Sequence, residues 1–211
     1  MSVPDIPNPK AAGRQPWNKG KLIGQKPPLK PKHVWAIRTH LQLKGQVREL
    51  AMFNLAIDSK LRACDLMCLK VEDLAPYGST RNRATIRQRK TGRTVQFEMT
   101  EPTRQAVDNW IRTSGKVPQD YLFSTRRRTG GPLSTRQYAR LLSTWITAIG
   151  LDPSMFGTHS LRRTKASLIY QRTGNIRAVQ LLLGHSKLES TVRYLGVEVD
   201  DALTIAEQVD V

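Results

Sequence analysis

Two histidines, several basic side chains and a late tyrosine, Tyr194, crowd into one stretch, residues 158 to 194. His159 and Arg162 are three positions apart, so on a helix they share a face. With Thr158 or His159 as the cap, both lie at the helix's positive end, which favours a phosphate. Gly174 closes this helix and Asn175 opens the next. Ile176, Val179, Leu182 and Leu183 give the second helix an apolar stripe; Gly184 stops it, and His185 stands at the break. A third short helix carries Thr191 and ends near Tyr194. A lone tyrosine there reads as an ordinary half-buried side chain, but among basic neighbours its phenolate can be stabilised. Bringing a phenol from a pKa of about 10 to near 7 needs roughly 4 kcal/mol, which two arginines and one or two histidines could supply in a dry site. A phenolate beside an arginine-clamped phosphate is a nucleophile beside its target.

The elements that must position these groups begin with helices over residues 31 to 75. Pro31 suits a first turn, and Val34, Ile37 and Leu41 make one face. Lys44-Gly45 breaks the pattern, and Leu50, Phe53, Leu55 and Ala56 continue in a second helix. A third helix holds Arg62, Asp65, Leu66 and Leu69; Arg62 and Asp65 can share its face, either as a surface pair worth little or as a rigid arginine held by a carboxylate. Residues 83 to 99 read as a hairpin. Arg83, Thr85, Arg87 and Arg89 alternate with Ala84, Ile86 and Gln88, while Val95, Phe97 and Met99 face one side. Thr91-Gly92 supplies the turn, and Arg81 to Arg93 holds six basic residues and no acid. Thr100-Glu101-Pro102 opens a helix with Ala106, Trp110 and Ile111 facing in. Tyr121 to Phe123 is at best a short strand, and Arg126 to Gly131 is a basic loop. Ser134 caps a helix with Tyr138, Leu141, Leu142 and Trp145 inward, ended by Gly150.

The 211 residues are 39% hydrophobic, enough for a packed core, and carry a net charge of +17 with a pI near 10.5. That charge fits a densely anionic partner such as nucleic acid, or merely a generic basic protein. Residues 1 to 28 read as a basic tail, expected to be disordered in isolation, either a solvated leader or an arm whose Lys19 and Lys21 lie along nucleic-acid phosphates. Cys64 and Cys68, four apart on one helix, read as reduced core residues rather than a metal pair. His33 and His40 read as ordinary helix residues. With no signal peptide and no membrane span in view, the cytoplasm is the expected compartment.

The motifs taken in order resemble the tyrosine recombinases, the phage-integrase family. The carriers are Arg62 in Ser59-Lys60-Leu61-Arg62, Lys90 in Arg89-Lys90-Thr91-Gly92-Arg93, His159-Ser160-Leu161-Arg162, Leu183-Gly184-His185, and Tyr194 nine residues on. The resemblance spans roughly residues 29 to 209. It implies a mostly α (α+β) catalytic domain, residues 29 to 211, with a small antiparallel sheet and a C-terminal helix at 199 to 209 that packs on its own domain or on a neighbouring protomer. It implies that Tyr194 attacks a DNA phosphorus to form a 3′-phosphotyrosyl link, with no cofactor, metal or ATP. Arg62 and Arg162 would clamp the phosphate oxygens, Lys90 would protonate the leaving oxygen, and His159 would be the base or proton acceptor. His185 would donate to the phosphate, and Asp65 would orient the first arginine or a histidine. Arg83, Arg87, Arg89, Arg93, Arg126, Arg127 and Arg128 would contact double-stranded DNA. Family members usually carry an additional N-terminal helical domain that clamps the far side of DNA. Here only a basic tail precedes the catalytic domain, so help from an accessory DNA-binding protein is expected, together with a homo-oligomer, a tetramer, on DNA and association with the nucleoid. Two other readings remain: a relaxing topoisomerase of the same (type IB) chemistry, and an idle DNA-binding regulator.

Overall fold

A computed structural model describes residues 25–125, 130–196 and 207. The arm up to residue 24, with Lys19 and Lys21, the loop residues Arg126, Arg127 and Arg128, and nearly all of the expected C-terminal helix lie outside the described residues.

Helix α1 (Pro31–Leu43) starts on its proline, and α2 (Val47–Ser59) follows one short turn later. From Ala51 to its end every residue of α2 is buried, which makes it the central rod of the molecule. Around it pack α1, α5 (Glu101–Ser114), α7 (Thr158–Thr173) and β2 (Thr94–Glu98). Phe53 of α2 meets Trp145 of α6 (Thr135–Ala148) edge to face, with ring centroids 5.7 Å apart. β1 (Arg83–Arg87) pairs antiparallel with β2, Arg83 opposite Glu98 and Arg87 opposite Thr94. As the alternation requires, Ala84, Val95 and Phe97 are buried while Arg83, Thr85 and Arg87 face solvent. The chain is mostly helical with a two-stranded antiparallel sheet among the described residues.

Four details depart from expectation. The third helix is two pieces, α3 (Ala63–Met67) and α4 (Val71–Leu74), with Leu69 between them. Arg62 is the extended residue before α3, not a member of it, so the shared-face geometry with Asp65 does not arise. The start of α7 is capped by Gly157, not by Thr158 or His159: the Gly157 N–H donates to Ser160 Oγ at 3.1 Å. At Tyr121 and Ser124 only isolated bridges form, to Lys70 and Pro132.

A second, small core cements the C-terminal helices. Ala166 of α7 with Val179 and Leu183 of α8 (Ile176–Leu183) is buried against Ile169, Tyr170, Tyr194 and Leu195. Tyr194 is thus the next-to-last residue of α9 (Leu188–Leu195) and part of that packing. Residues before α1 are tied to the same region. Gln25 donates to the Arg193 carbonyl (3.0 Å), the Lys26 carbonyl accepts from Arg163 (2.9 Å), and the Leu29 N–H donates to Thr164 Oγ1 (3.0 Å).

Candidate active site

Arg162 lies one turn inside α7, 2% exposed, and its Nη2 donates to the Leu183 carbonyl at 2.8 Å. Its Nε and Nη1 are buried with no hydrogen-bond partner among the described residues. A permanently charged fork with two idle donors away from water is costly unless something anionic completes it.

Arg62 reaches the same place from the other side of the cleft. Its Nη1 donates to Gln88 Oε1 at 2.5 Å. Gln88, buried at the end of β1, also accepts from Thr91 Oγ1 (2.8 Å) and donates through Nε2 to the Leu183 carbonyl (3.2 Å). One amide therefore joins Arg62, the turn that carries Lys90, and the carbonyl that anchors Arg162. Gly184 makes this closeness possible. Its φ is +68°, and a Cβ there would fall 2.5 Å from Val95 Cγ1 and 3.1 Å from Gln88 Nε2, so only glycine meets both demands.

Asp65 does not hold Arg62. Its Oδ1 accepts the backbone N–H of Arg89 at 2.9 Å, bracing the residue before Lys90, and its buried Oδ2 has no partner among the described residues. The cause is again the extended backbone at Arg62, which sends the guanidinium to Gln88. Lys90 stands exposed at the hairpin tip, beside Gly92 with φ +66°.

Tyr194 is enclosed by Arg162 and Arg163, whose guanidinium carbons lie 5.8 and 5.5 Å from its ring centroid, and by the edge of His185 at 5.3 Å. Its hydroxyl is buried without a partner among the described residues. The expected lowering of its pKa is not found. Burial pushes the phenol up to about 12, against the opposing pull of Arg162, Arg163 and Arg62. Loss of water outweighs the attraction of the cations, so in the DNA-free chain this group is a protonated phenol at neutral pH.

Both histidines are held neutral. Burial, then Arg162 and Arg62, lower His185 to about 4; its Nδ1 lies 3.1 Å from Thr191 Oγ1. His159 keeps an exposed edge, yet the protein packed under it and the charges of Arg162, Arg62, Lys90 and Arg163 lower its pKa as well. A neutral imidazole can take a proton, and can donate one hydrogen bond from its other nitrogen.

The cleft thus gathers Arg62, Arg162, Arg163, His159, His185 and Tyr194, with Lys90 above it. Arg163 and Gln88 were not singled out from the sequence. Gln88 was nevertheless marked by its phase, a polar residue on the inward side of the β1 alternation. Arg83, Arg87, Arg89 and Arg93 are exposed on the hairpin; Arg87 Nε folds onto the Gly92 carbonyl (2.9 Å) and Arg89 Nη1 onto Cys68 Sγ (2.6 Å). Near Thr125 and Gly131, Arg48, Arg136 and Arg140 line an open groove with Ser134 and Gln137, a basic surface the sequence did not announce. Among the described residues no helix is long and apolar enough to cross a membrane, and no group of three or more His, Cys, Asp or Glu could hold a metal ion.

The family model described as "Phage integrase family" matches residues 28–200. A probable integrase/recombinase, YoeC, of Bacillus subtilis is 31% identical over 167 residues, 79% of this chain and 87% of the relative. A tyrosine recombinase of Pseudothermotoga lettingae is 32% identical over 155 residues, and there the match covers 74% of this chain but 51% of the relative. This chain therefore spans about half the length of that curated relative and most of the other. The crystal structure of XerA recombinase superposes with a TM-score of 0.69 at 20% identity over 86% of this chain and 64% of that one. The pre-cleavage complex of XerH recombinase with its difH substrate gives 0.65 at 21%, over 85% and 52%. With a family model matched over most of its length and the ordered Arg62, Lys90, His159, Arg162, His185 and Tyr194 gathered on one cleft, the chain belongs to the phage integrase family of tyrosine recombinases.

Proposed function

We propose that this chain cleaves and rejoins double-stranded DNA as a site-specific recombinase, through a 3′-phosphotyrosyl intermediate at Tyr194. The observation that carries this is the pair of buried donors on Arg162 that meet no protein acceptor in good geometry among the described residues, in a cleft whose cations outnumber its acids and whose buried tyrosine hydroxyl lies beside the same guanidinium. A backbone phosphate entering there answers all three needs. It accepts from Arg162 Nε and Nη1, it takes a further donor from Arg62, and it presents phosphorus to Tyr194 Oη.

The step balances without a cofactor. As Tyr194 Oη bonds to phosphorus, its proton passes to His159, which is neutral and free to accept it. The bond from phosphorus to the 5′ oxygen breaks, and Lys90 supplies the proton that oxygen requires. Charge growing on the non-bridging oxygens is met by Arg62 and Arg162, and His185 donates to the same phosphate. Rejoining is the reverse attack by a 5′-hydroxyl, so the bond is conserved and no nucleotide is consumed. The raised phenol pKa fits this order of events: proton loss accompanies attack and does not precede it.

Relatives whose structures are described as bound to DNA, the XerH complex and the Tn1549 transposon integrase with its transposon end, support DNA as the partner. The exposed hairpin arginines and the Arg48–Arg136–Arg140 groove support a long basic contact surface. A tetramer on DNA, an accessory protein and nucleoid association belong to the same proposal. The test is a nicked suicide substrate incubated with the chain in excess EDTA. A protein–DNA adduct on the 3′ phosphate supports the reading; cleavage that needs added magnesium and leaves no adduct points to a nuclease. Relaxation of supercoiled plasmid lacking any special site would favour the topoisomerase reading.

A further inference from the structure

A cluster of four charges lies behind the cleft, made of side chains to which the proposed chemistry gives no role. Lys60 is the sole non-glycine residue with positive φ (+54°) among the described residues, and its side chain is wholly buried. Glycine is the residue expected in that conformation. The lysine amine donates to the Asp58 carbonyl (2.6 Å) and to both oxygens of Glu98 (3.0 and 3.1 Å). Lys165 closes the ring, 2.8 Å from Asp58 Oδ1 and 2.7 Å from Glu98 Oε1. The other Asp58 oxygen accepts from the Thr100 N–H and from the hydroxyls of Thr100 and Thr103. Two cations and two carboxylates cancel, and the buried amine is paired.

The positions of these four residues carry the point. Lys60 is two residues before Arg62. Glu98 ends β2, the return strand of the hairpin that bears Lys90. Lys165 is three residues past Arg162, on the helix whose first turn holds His159. Asp58 is the next-to-last residue of the central α2. Three segments far apart in sequence, each carrying part of the cleft, therefore converge on one knot. A surface role does not explain a buried lysine in a strained backbone, and apolar side chains would fill the space without the desolvation of the Lys60 and Asp58 charges.

We propose that Lys60 is a positioning residue, which with Asp58, Glu98 and Lys165 sets the relative placement of Arg62, the Lys90 hairpin and the start of α7. This rests on the reading of the cleft as a DNA-cleaving site only for its consequence in rate, not for the tie itself. The tie uses Lys60's reach in a backbone conformation that forces the amine inward, and an error of about 1 Å at the cleft slows chemistry by about a hundredfold.

The test is the Lys60→Gly/Glu98→Gln double variant. Glycine relieves the backbone strain, and the second change restores charge balance to Asp58 and Lys165, so the fold is expected to survive, at a melting temperature lowered by the cavity the lysine leaves. Amide hydrogen exchange is expected to quicken in residues 61–65, 88–93 and 158–162 and to stay unchanged in α5 and α6. Covalent cleavage at saturating protein is expected to fall about ten- to a hundredfold, with DNA affinity held within about threefold. A substrate whose 5′ leaving oxygen is replaced by sulfur, which needs little protonation, is expected to restore part of the rate, as it should for Lys90→Ala. Unchanged exchange in those three segments, or cleavage within twofold of the unaltered chain, overturns the proposal. Failure of sulfur to rescue Lys90→Ala would instead remove Lys90 as proton donor, leaving the exchange and the oxygen-substrate rate to decide the role of Lys60. If the double variant does not fold, Lys60→Met, which keeps the apolar stem, replaces it in the same measurements.

Discussion

Replacing Arg162 by methionine should make the chain more stable and slow its chemistry by orders of magnitude. The guanidinium is 2% exposed and has one protein acceptor, the Leu183 carbonyl, with two donors left idle. Leaving a buried donor unmade costs about 1–3 kcal/mol, more on a charged group. Methionine keeps the apolar stem and removes both idle donors, and the Leu183 carbonyl keeps its bond from Gln88. The lost attraction to the Tyr194 ring offsets about 1 kcal/mol. The net gain is about 1–4 kcal/mol, which at about 2–4 °C per kcal/mol for a chain of this size gives a rise of about 2–16 °C in melting temperature. Cleavage should fall in the opposite direction. Two charge-assisted bonds to a phosphate at about 1.5–3 kcal/mol each amount to a loss of about two to four orders of magnitude in single-turnover adduct formation. Thermal melting by circular dichroism and suicide-substrate cleavage measure the two effects on the same preparation. A variant less stable than the parent, or one that cleaves within tenfold of it, would mean that Arg162 is a structural strut and that no anion is awaited there.

Other expectations follow from the same geometry. His185 is neutral in the fold down to about pH 4 but protonates in the unfolded chain near its usual value of about 6.5. Its stabilising contribution is therefore complete above about pH 6.5 and is lost as pH falls toward 4; His185→Asn should flatten the decline of melting temperature over that window, by about 1–2 kcal/mol after allowing for a half-exposed ring. Lys90→Ala should slow cleavage far more than binding, because Lys can give up a proton where Arg cannot, and a sulfur leaving group should rescue it; no rescue means that Lys90 only binds phosphate. Deleting residues 1–24 should weaken DNA binding and reduce the log–log salt slope by about 0.9 per lost phosphate contact, whereas a cut at 28 would also remove the Gln25 and Lys26 bonds to α9 and α7; an unchanged slope for the shorter deletion leaves the arm without a DNA role.

The chemistry was legible in the sequence because most of it is local. His159, Arg162, His185 and Tyr194 fall within 37 residues, and glycines at 174 and 184 announce the helix breaks. The hairpin was legible from its alternation, and Lys90 from the resemblance of the Arg89-to-Arg93 turn to that of the family. What escaped depends on backbone states and burial that spacing does not encode. Arg62 and Asp65, three apart, read as a helical pair; the extended conformation at Arg62 parts them and makes Gln88 the partner. A glycine with no side chain caps α7, so the cap was assigned one or two residues late. Tyr194 was expected to titrate low because its cationic neighbours are visible in sequence and its enclosure is not. Lys60 stood in the sequence only as part of the motif around Arg62; nothing in its immediate neighbours signals a left-handed turn that drives its amine into the interior.

The most direct test of Tyr194 as nucleophile is mass spectrometry of the nucleotide-bearing peptide from the covalent adduct, run beside Tyr194→Phe. The modified residue should be Tyr194, with no adduct from the Phe variant at unchanged melting temperature and DNA affinity. The chain has four other tyrosines, and Tyr170 lies in the same small core. A nucleotide on Tyr170 or any residue other than Tyr194, or an adduct that persists in Tyr194→Phe, would contradict the assignment.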